Sequence, residues 1–326
     1  MDVTQATELI EKTLYPLVVP DYTAVPKVWP VICQQYPWDP AFIYGERRDA
    51  LTDIGEPDEV PFGEELPDRA FVTGWKVYAK TRKIGHKVTV ERELIIGMDA
   101  GGRLPSSLLN QFTGSGKRFA QKEEKYIADV FQKGTLTAGN LAIFDGSFPG
   151  ETDPYPKFIY DAYPFFDTAH PIKLGDSTYA NHTVSLSLSD ANIETARILM
   201  EHTSAVDERG EPILNMMTHL MVPTQLEFTA ARILESVLKP GTANNDRNVH
   251  QGSLQLVVWR FLTDDTDAWW LLNSDRPAVY VRDSGLPQVG AYDNRKQHHI
   301  VVEAFKYFTY AVQDWRGAYC ANKAAT

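Results

Sequence analysis

The chain has 326 residues, 43% hydrophobic and 23% charged, a balance that builds a sizeable core and excludes wholesale disorder. Its net charge of −11 excludes a dedicated nucleic-acid binder, which needs clustered Lys and Arg, and no run of about 18 apolar residues offers a membrane span. Two cysteines near opposite ends, Cys33 and Cys320, suit neither a disulfide framework nor a zinc site, and Asp2 and Glu8 stand where a signal peptide would be basic, so a reducing compartment is expected.

Residues 1–45 open with a short helical pattern, Ala6, Ile10 and Leu14, and then carry Pro16, Pro20, Pro26, Pro30, Pro37 and Pro40. Proline at that spacing predicts an extended arm, and its aromatics, Trp29, Tyr36 and Trp38 among them, need a surface to lie on. Residues 46–68 carry nine acidic side chains against Arg47 and Arg48, with Asp53, Glu56, Asp58 and Glu59 at the centre. Residues 69–92 reverse the sign, with seven basic side chains against Glu91.

That basic stretch reads as a long β-hairpin. FVTGWKVYAKTRK and HKVTVERELIIG are rich in β-branched and aromatic residues, and Ile84-Gly85 lies between them as the turn. Its tip, Lys80, Arg82, Lys83, Gly85, His86 and Lys87, is too polar for a core and is expected to project. A helix of about 27 residues is predicted next, capped by Ser106 or Ser107 and stopped by Gly134, with a bend at Gly114 and Gly116. GSGK at 114–117 lacks the full phosphate-loop spacing, so no nucleotide or other cofactor is expected.

Residues 135–185 are rich in turns. Helices follow at SDANIETARILMEH, capped by Ser189, and at PTQLEFTAARILES, where Thr224 and Glu227 form a capping box. HTVSLSL, THLMV, LQLVVWRFL, AWWLLN and AVYVRD read as strands, and HHIVVEAFKYFTYAVQDW as a long central one. The class is α+β.

Chemistry is sparse. Asp167 and His170 in YPFFDTAHP could belong to a hydrolase triad, but no nucleophile signature accompanies them, and proline and aromatic neighbours favour a rigid turn. His298, His299 and Glu303 lie in a strand pattern that separates them, and Asp264, Asp265 and Asp267 lack the glycine of a calcium loop, so no metal is expected.

The order of elements resembles the major capsid proteins of tailed bacteriophages, and among them the chain looks like the Mu-like major head subunits. The likeness runs through YPFFDTAHP, MVPTQLEFTAARILES, AWWLLNSDRPAVYVRDSG and FKYFTYAVQDWRGAYCA. It implies the tailed-phage capsid fold, divided as N-arm 1–45, acidic connector 46–67, extended β-hairpin loop 68–98, peripheral-domain spine helix 99–139, axial domain 140–290 and peripheral C-terminal strands 291–326. It also implies a virion structural protein, assembled in the host cytoplasm into hexamers and pentamers of an icosahedral shell around DNA that it does not bind specifically. A portal, a decoration protein and, because no long charged N-terminal segment is seen, a separate scaffolding protein are the implied partners. On this reading the basic hairpin tip rests on the acidic surface of a neighbouring subunit, and the arm aromatics pack on neighbours. A cytosolic hydrolase using Asp167 and His170 is the rival reading.

Overall fold

A computed structural model describes residues 3–51, 59–60, 62, 64–65, 73–91, 112, 114–135, 161, 163–238, 247–294 and 299–324. The N-terminal stretch is a helix and not an extended arm. Helix α1 (Val3–Thr23) carries the four-residue spacing of Ile10 and Leu14 on through Val18 and Tyr22, all four buried, while Pro16 and Pro20 sit on its solvent side. Two interior prolines cost about 6 kcal/mol together. Burying four large side chains contributes roughly 6–12 kcal/mol, so the helix survives its prolines.

A short helix α2 (Trp29–Ile32) leads to β1 (Gln34–Tyr36), β2 (Gly45–Leu51), β3 (Thr73–Lys80) and β4 (Arg82–Glu91). Helix α3 (Ser115–Gln132) begins at Gly114, whose φ of +78° marks the break expected at the glycine pair. The first part of the predicted 27-residue helix, apart from Phe112, lies outside the described residues up to 113. Then come β5 (His170–Pro171), β6 (Thr178–Tyr179), β7 (His182–Thr183), α4 (Asp190–Ile198), β8 (His219–Val222) and α5 (Glu227–Glu235). The last strands are β9 (Gln255–Val258), β10 (Trp269–Leu272), β11 (Val279–Asp283), β12 (Gln288–Asn294), β13 (His299–Val312) and β14 (Ala318–Ala321). Ser189 caps α4 by accepting from the Asn192 amide, as read from the sequence. The capping box at α5 does not form, because Thr224–Leu226 is a 3-10 turn and the helix starts without a side-chain cap.

Among the described residues, two five-stranded sheets organise the fold. In the first, β13 is central: β11 and β12 pair along it, β1 joins β11 in parallel, and β4 runs antiparallel to it over ten residue pairs. In the second the order is β7-β14-β10-β8-β9. Helices α1 and α3 cover one face of the first sheet, where Ile10, Leu14, Val18 and Phe119 meet Val90, Ile300, Val302 and Ala304. Helices α4 and α5 cover the second through Ile193, Met200, Ile233 and Leu234 against Leu220, Val222 and Leu271. A third apolar cluster, with Phe131, Phe165, Trp259, Trp270 and Trp315, joins the two halves.

This topology corrects the hairpin and its boundaries. β3 and β4 do not pair with each other; β3 pairs with β2, and β4 belongs to the first sheet. The ribbon is therefore β2–β3, with the acidic residues 52–72 as its connection, one strand upstream of the expected 68–98 loop. The boundary at 290 also fails to follow the sheets. β11 lies before it yet joins β13, while β14 lies after it and joins the second sheet.

Candidate assembly surfaces

The six residues expected at a projecting tip lie along a sheet. Lys80 ends β3 opposite Gly45, and Arg82, Lys83, Gly85, His86 and Lys87 follow in β4 opposite Phe308, Tyr307, Phe305, Ala304 and Glu303. Alternation along the strand divides them. Arg82 and His86 turn toward the helices: the Arg82 guanidinium lies 5.5 Å from the Tyr126 and Tyr310 rings. His86 meets the Ser115 hydroxyl at 3.0 Å and packs against Phe112 and Phe119, and desolvation holds its pKa below the ordinary histidine range. Lys83 and Lys87 take the opposite face, where Lys83 lies 4.2 Å over the Phe305 ring. A cleft of about 260 Å³ runs here, lined by Lys83, Gly85, His86, Lys87, Glu303 and Phe305.

Gly85 is no turn residue. A Cβ there would stand 2.9 Å from both the Ala304 carbonyl oxygen and the Phe305 Cβ, so the glycine lets β4 approach β13 closely.

The arm aromatics pack on their own chain. Trp29 is buried with its edge toward Phe308, ring centroids 5.7 Å apart, and Tyr36 meets Tyr280 edge-on at 5.7 Å. Trp38 stacks on Tyr307 at an interplanar angle of 10°. For the buried Trp29 an internal contact takes the place of the expected neighbour contact, while Tyr36 and Trp38 stay half-buried. Of the acidic candidates, Asp53, Glu56 and Asp58 lie outside the described residues, and Glu59 is exposed. Glu46, counted in the same acidic run, is buried and grips Arg282 with both oxygens, at 2.6 and 2.9 Å.

Asp167 and His170 do not form a catalytic pair. The Asp167 carboxylate accepts from the Ala169 amide at 2.9 Å, an Asx turn. His170 is fully buried, stacked 4.7 Å from the Trp315 ring, and its Nδ1 meets Asp161 at 2.7 Å. Its Nε2 faces the Asn181 oxygen at 3.1 Å. The Asn181 amide nitrogen donates to three carbonyls, those of Phe165, Trp315 and Ala318, which fixes its oxygen toward the ring. Nε2 therefore carries a hydrogen, and imidazole and Asp161 share a second one. No hydroxyl or thiol stands in the described shell of hydrogen bonds. Sequence reading missed Asp161, because nine residues separate it from His170 and no motif links them.

The other tentative sites are filled from within. Asp21 accepts from the Gly114 amide at 2.9 Å, placing an internal carboxylate at the N-terminus of α3 where GSGK begins. Asp265 pairs with Lys323 at 2.9 Å, and no metal-holding cluster occurs among the described residues.

A family model described as phage capsid protein matches residues 76–321. Comparison with curated proteins gives no match. Among solved structures, the capsid of Ralstonia phage GP4 is similar with a TM-score of 0.53 and 14% identity, over 91% of this chain and 90% of that one. The capsid of bacteriophage JBD30 decorated with minor capsid protein trimers gives 0.51 and 13%, over 74% and 92%. The capsid of an empty GTA particle, computed with C5 symmetry, gives 0.50 and 9%, over 93% and 92%. At these identities the likeness speaks for the fold alone.

Proposed function

The chain belongs to the phage capsid protein family, as a major capsid subunit of a tailed-phage virion and not an enzyme, and on that premise we propose that its copies join head to tail into pentamers and hexamers of an icosahedral shell. The observation that carries this reading is the β2–β3 ribbon. It belongs to neither five-stranded sheet, and although Glu46 and Ala79 are buried against its own chain, the open edges of a two-stranded ribbon are a liability unless another chain covers them. Laid over the next subunit, the ribbon makes a heterologous contact that closes by rotation. The Mu-like subgroup rests on the four local likenesses in 163–171, 221–236, 268–285 and 305–321. A portal, a separate scaffolding protein and minor capsid proteins of the decorating kind are the partners it calls for.

Contact between opposed charges remains part of the proposal, with the geometry exchanged. On this proposal the acidic connection of the ribbon, with Asp53, Glu56, Asp58 and Glu59, meets Lys83 and Lys87 on the open face of β4 in the neighbouring subunit. The test replaces residues 52–72 by a two-residue turn. The variant should keep its far-ultraviolet spectrum and thermal transition yet sediment as free subunits. Normal shells in the electron microscope from that variant would overturn the ribbon's role.

A further inference from the structure

A second constellation, unrelated to subunit contact, lies where α1, α3 and the turn after β11 meet. Lys306 is fully buried on β13, on the helix side of the first sheet. Its ammonium touches the Glu123 carboxylate and lies 2.6 Å from Asp283 Oδ1 and 2.8 Å from the Gly285 carbonyl oxygen. Glu123 is also fully buried, and the Asp283 side chain is 18% exposed. The Tyr22 hydroxyl faces Glu123 at 2.9 Å and Asp283 Oδ2 at 3.2 Å. Lys27 holds the second Glu123 oxygen at 2.9 Å, leaving Oε1 to Lys306. Tyr22 belongs to the apolar cluster that also holds Val18, Phe119 and Ala304.

Such a cluster ordinarily serves as a buried ion-pair network, which must be fully satisfied to be tolerated. This one also holds every part needed for covalent closure. We propose that Lys306 and Asp283 join in an intramolecular amide bond, with Glu123 moving the proton. The Lys306 ammonium passes one proton along its hydrogen bond to Asp283 Oδ1, and the freed lone pair attacks Cγ of the now neutral carboxyl group while Glu123 takes a second proton from the nitrogen and hands it to the departing Oδ1. Negative charge developing on Oδ2 falls under the Tyr22 hydroxyl. Burial and the two carboxylates raise the Tyr22 pKa, keeping that hydroxyl a donor. A C–N bond forms and a C–O bond breaks. The departing oxygen leaves as water with two hydrogens from the original ammonium, and Glu123 returns to the carboxylate. One ammonium and one carboxylate become an amide and a water, with no oxidant or other co-reactant.

The bond would tie the end of β11 to the middle of β13 and enclose all of β12 in a covalent loop, beneath the docked α1. Two buried charges would vanish from the centre of the sheet.

Intact-mass spectrometry of the full chain, as free subunits and from assembled shells, tests this independently of the assembly reading. The folded chain should weigh about 18 Da less than its sequence, one water lost on amide formation, and digestion should yield a branched peptide joining residues 283 and 306. Asp283→Asn should close with loss of ammonia, about 17 Da, a signature that no ion pair produces. Asp283→Ala, at a partly exposed position that need not disturb folding, and Lys306→Arg should both retain full mass. Glu123→Gln should slow or abolish the mass loss. Full sequence mass in the folded wild-type chain, in both states and after prolonged incubation, would overturn the proposal.

Discussion

At the scale of single residues, His170 shows how a catalytic-looking pair can be pure architecture. Its ring is flat against Trp315, one nitrogen is bound to Asp161, and the other to the oxygen of Asn181, whose two amide hydrogens are shared among three carbonyls. The cluster crosslinks the segment after residue 161, the turn before β7 and the start of β14 without any reactive atom. Replacing His170 by Ala leaves the Asp161 carboxylate buried and uncompensated, a change that costs about 3–5 kcal/mol. The midpoint of urea denaturation should fall accordingly, with the slope unchanged; an unchanged midpoint would show that the pair carries no load. Gly116 is the companion case in packing. A Cβ there would lie 2.0 Å from the Val18 carbonyl oxygen and 2.5 Å from the Tyr22 amide nitrogen, both backbone atoms that cannot rotate aside. Gly116→Ala should therefore push α1 off α3, costing about 3 kcal/mol and raising amide exchange across residues 10–22. If exchange there stays at the wild-type rate, the close approach is not what seats the helix.

At the scale of elements, sequence pattern revealed what each segment is far better than what each segment pairs with. The central strand β13 and helices α4 and α5 follow from local periodicity, and all three are found close to where it places them. The partner of β4 does not follow, because β3 is adjacent in the chain whereas β13 is more than 200 residues away, and only long-range packing favours it. Gly85 held the hint: a turn would accept it, but so would a strand pressed against a bulky neighbour, and the second is true. For α1, Pro16 and Pro20 argue against a helix in the sequence taken alone, and only burial against its partners, α3 and β12, outweighs them. The same burial that fixes elements makes them acid-sensitive. His182, at the start of β7, donates from Nε2 to the Lys323 carbonyl at 2.8 Å, and desolvation lowers its pKa from 6.5 despite the nearby Asp167 charge. The unfolded chain then binds the proton more readily than the folded one. Stability from this site is present above pH 6.5 and is lost as pH falls through the folded value. His182→Gln, which can still donate to Lys323, should flatten the decline of the melting temperature between pH 7 and pH 5. An unaltered decline would assign the sensitivity to other groups.

At the scale of the whole molecule, the two oppositely charged stretches in the sequence become two separate places. The acidic one links the strands of the ribbon, and the basic one is built into the first sheet beside Phe305 and Glu303. Residues 52–72 connect the two strands of the ribbon, and on the proposed assembly a second copy receives them. Each exposed ion pair contributes only about 0–1 kcal/mol, too little to hold two subunits together. Several pairs repeated around every ring suffice to choose one docking register over another, since like charges brought face to face oppose the wrong one. Reversing Lys83 and Lys87 to Glu should therefore leave the subunit folded while lowering the yield of shells at moderate ionic strength. High salt should narrow the difference from wild type, because screening weakens right and wrong contacts alike. Reversing Glu56 and Glu59 to Lys in the same chain should restore the yield, which a purely local packing role for Lys83 and Lys87 would not allow. Sedimentation of the two reversed variants, alone and combined, decides the matter: rescue requires that opposite charges meet across subunits, and failure of the combined variant would place the receiving surface elsewhere.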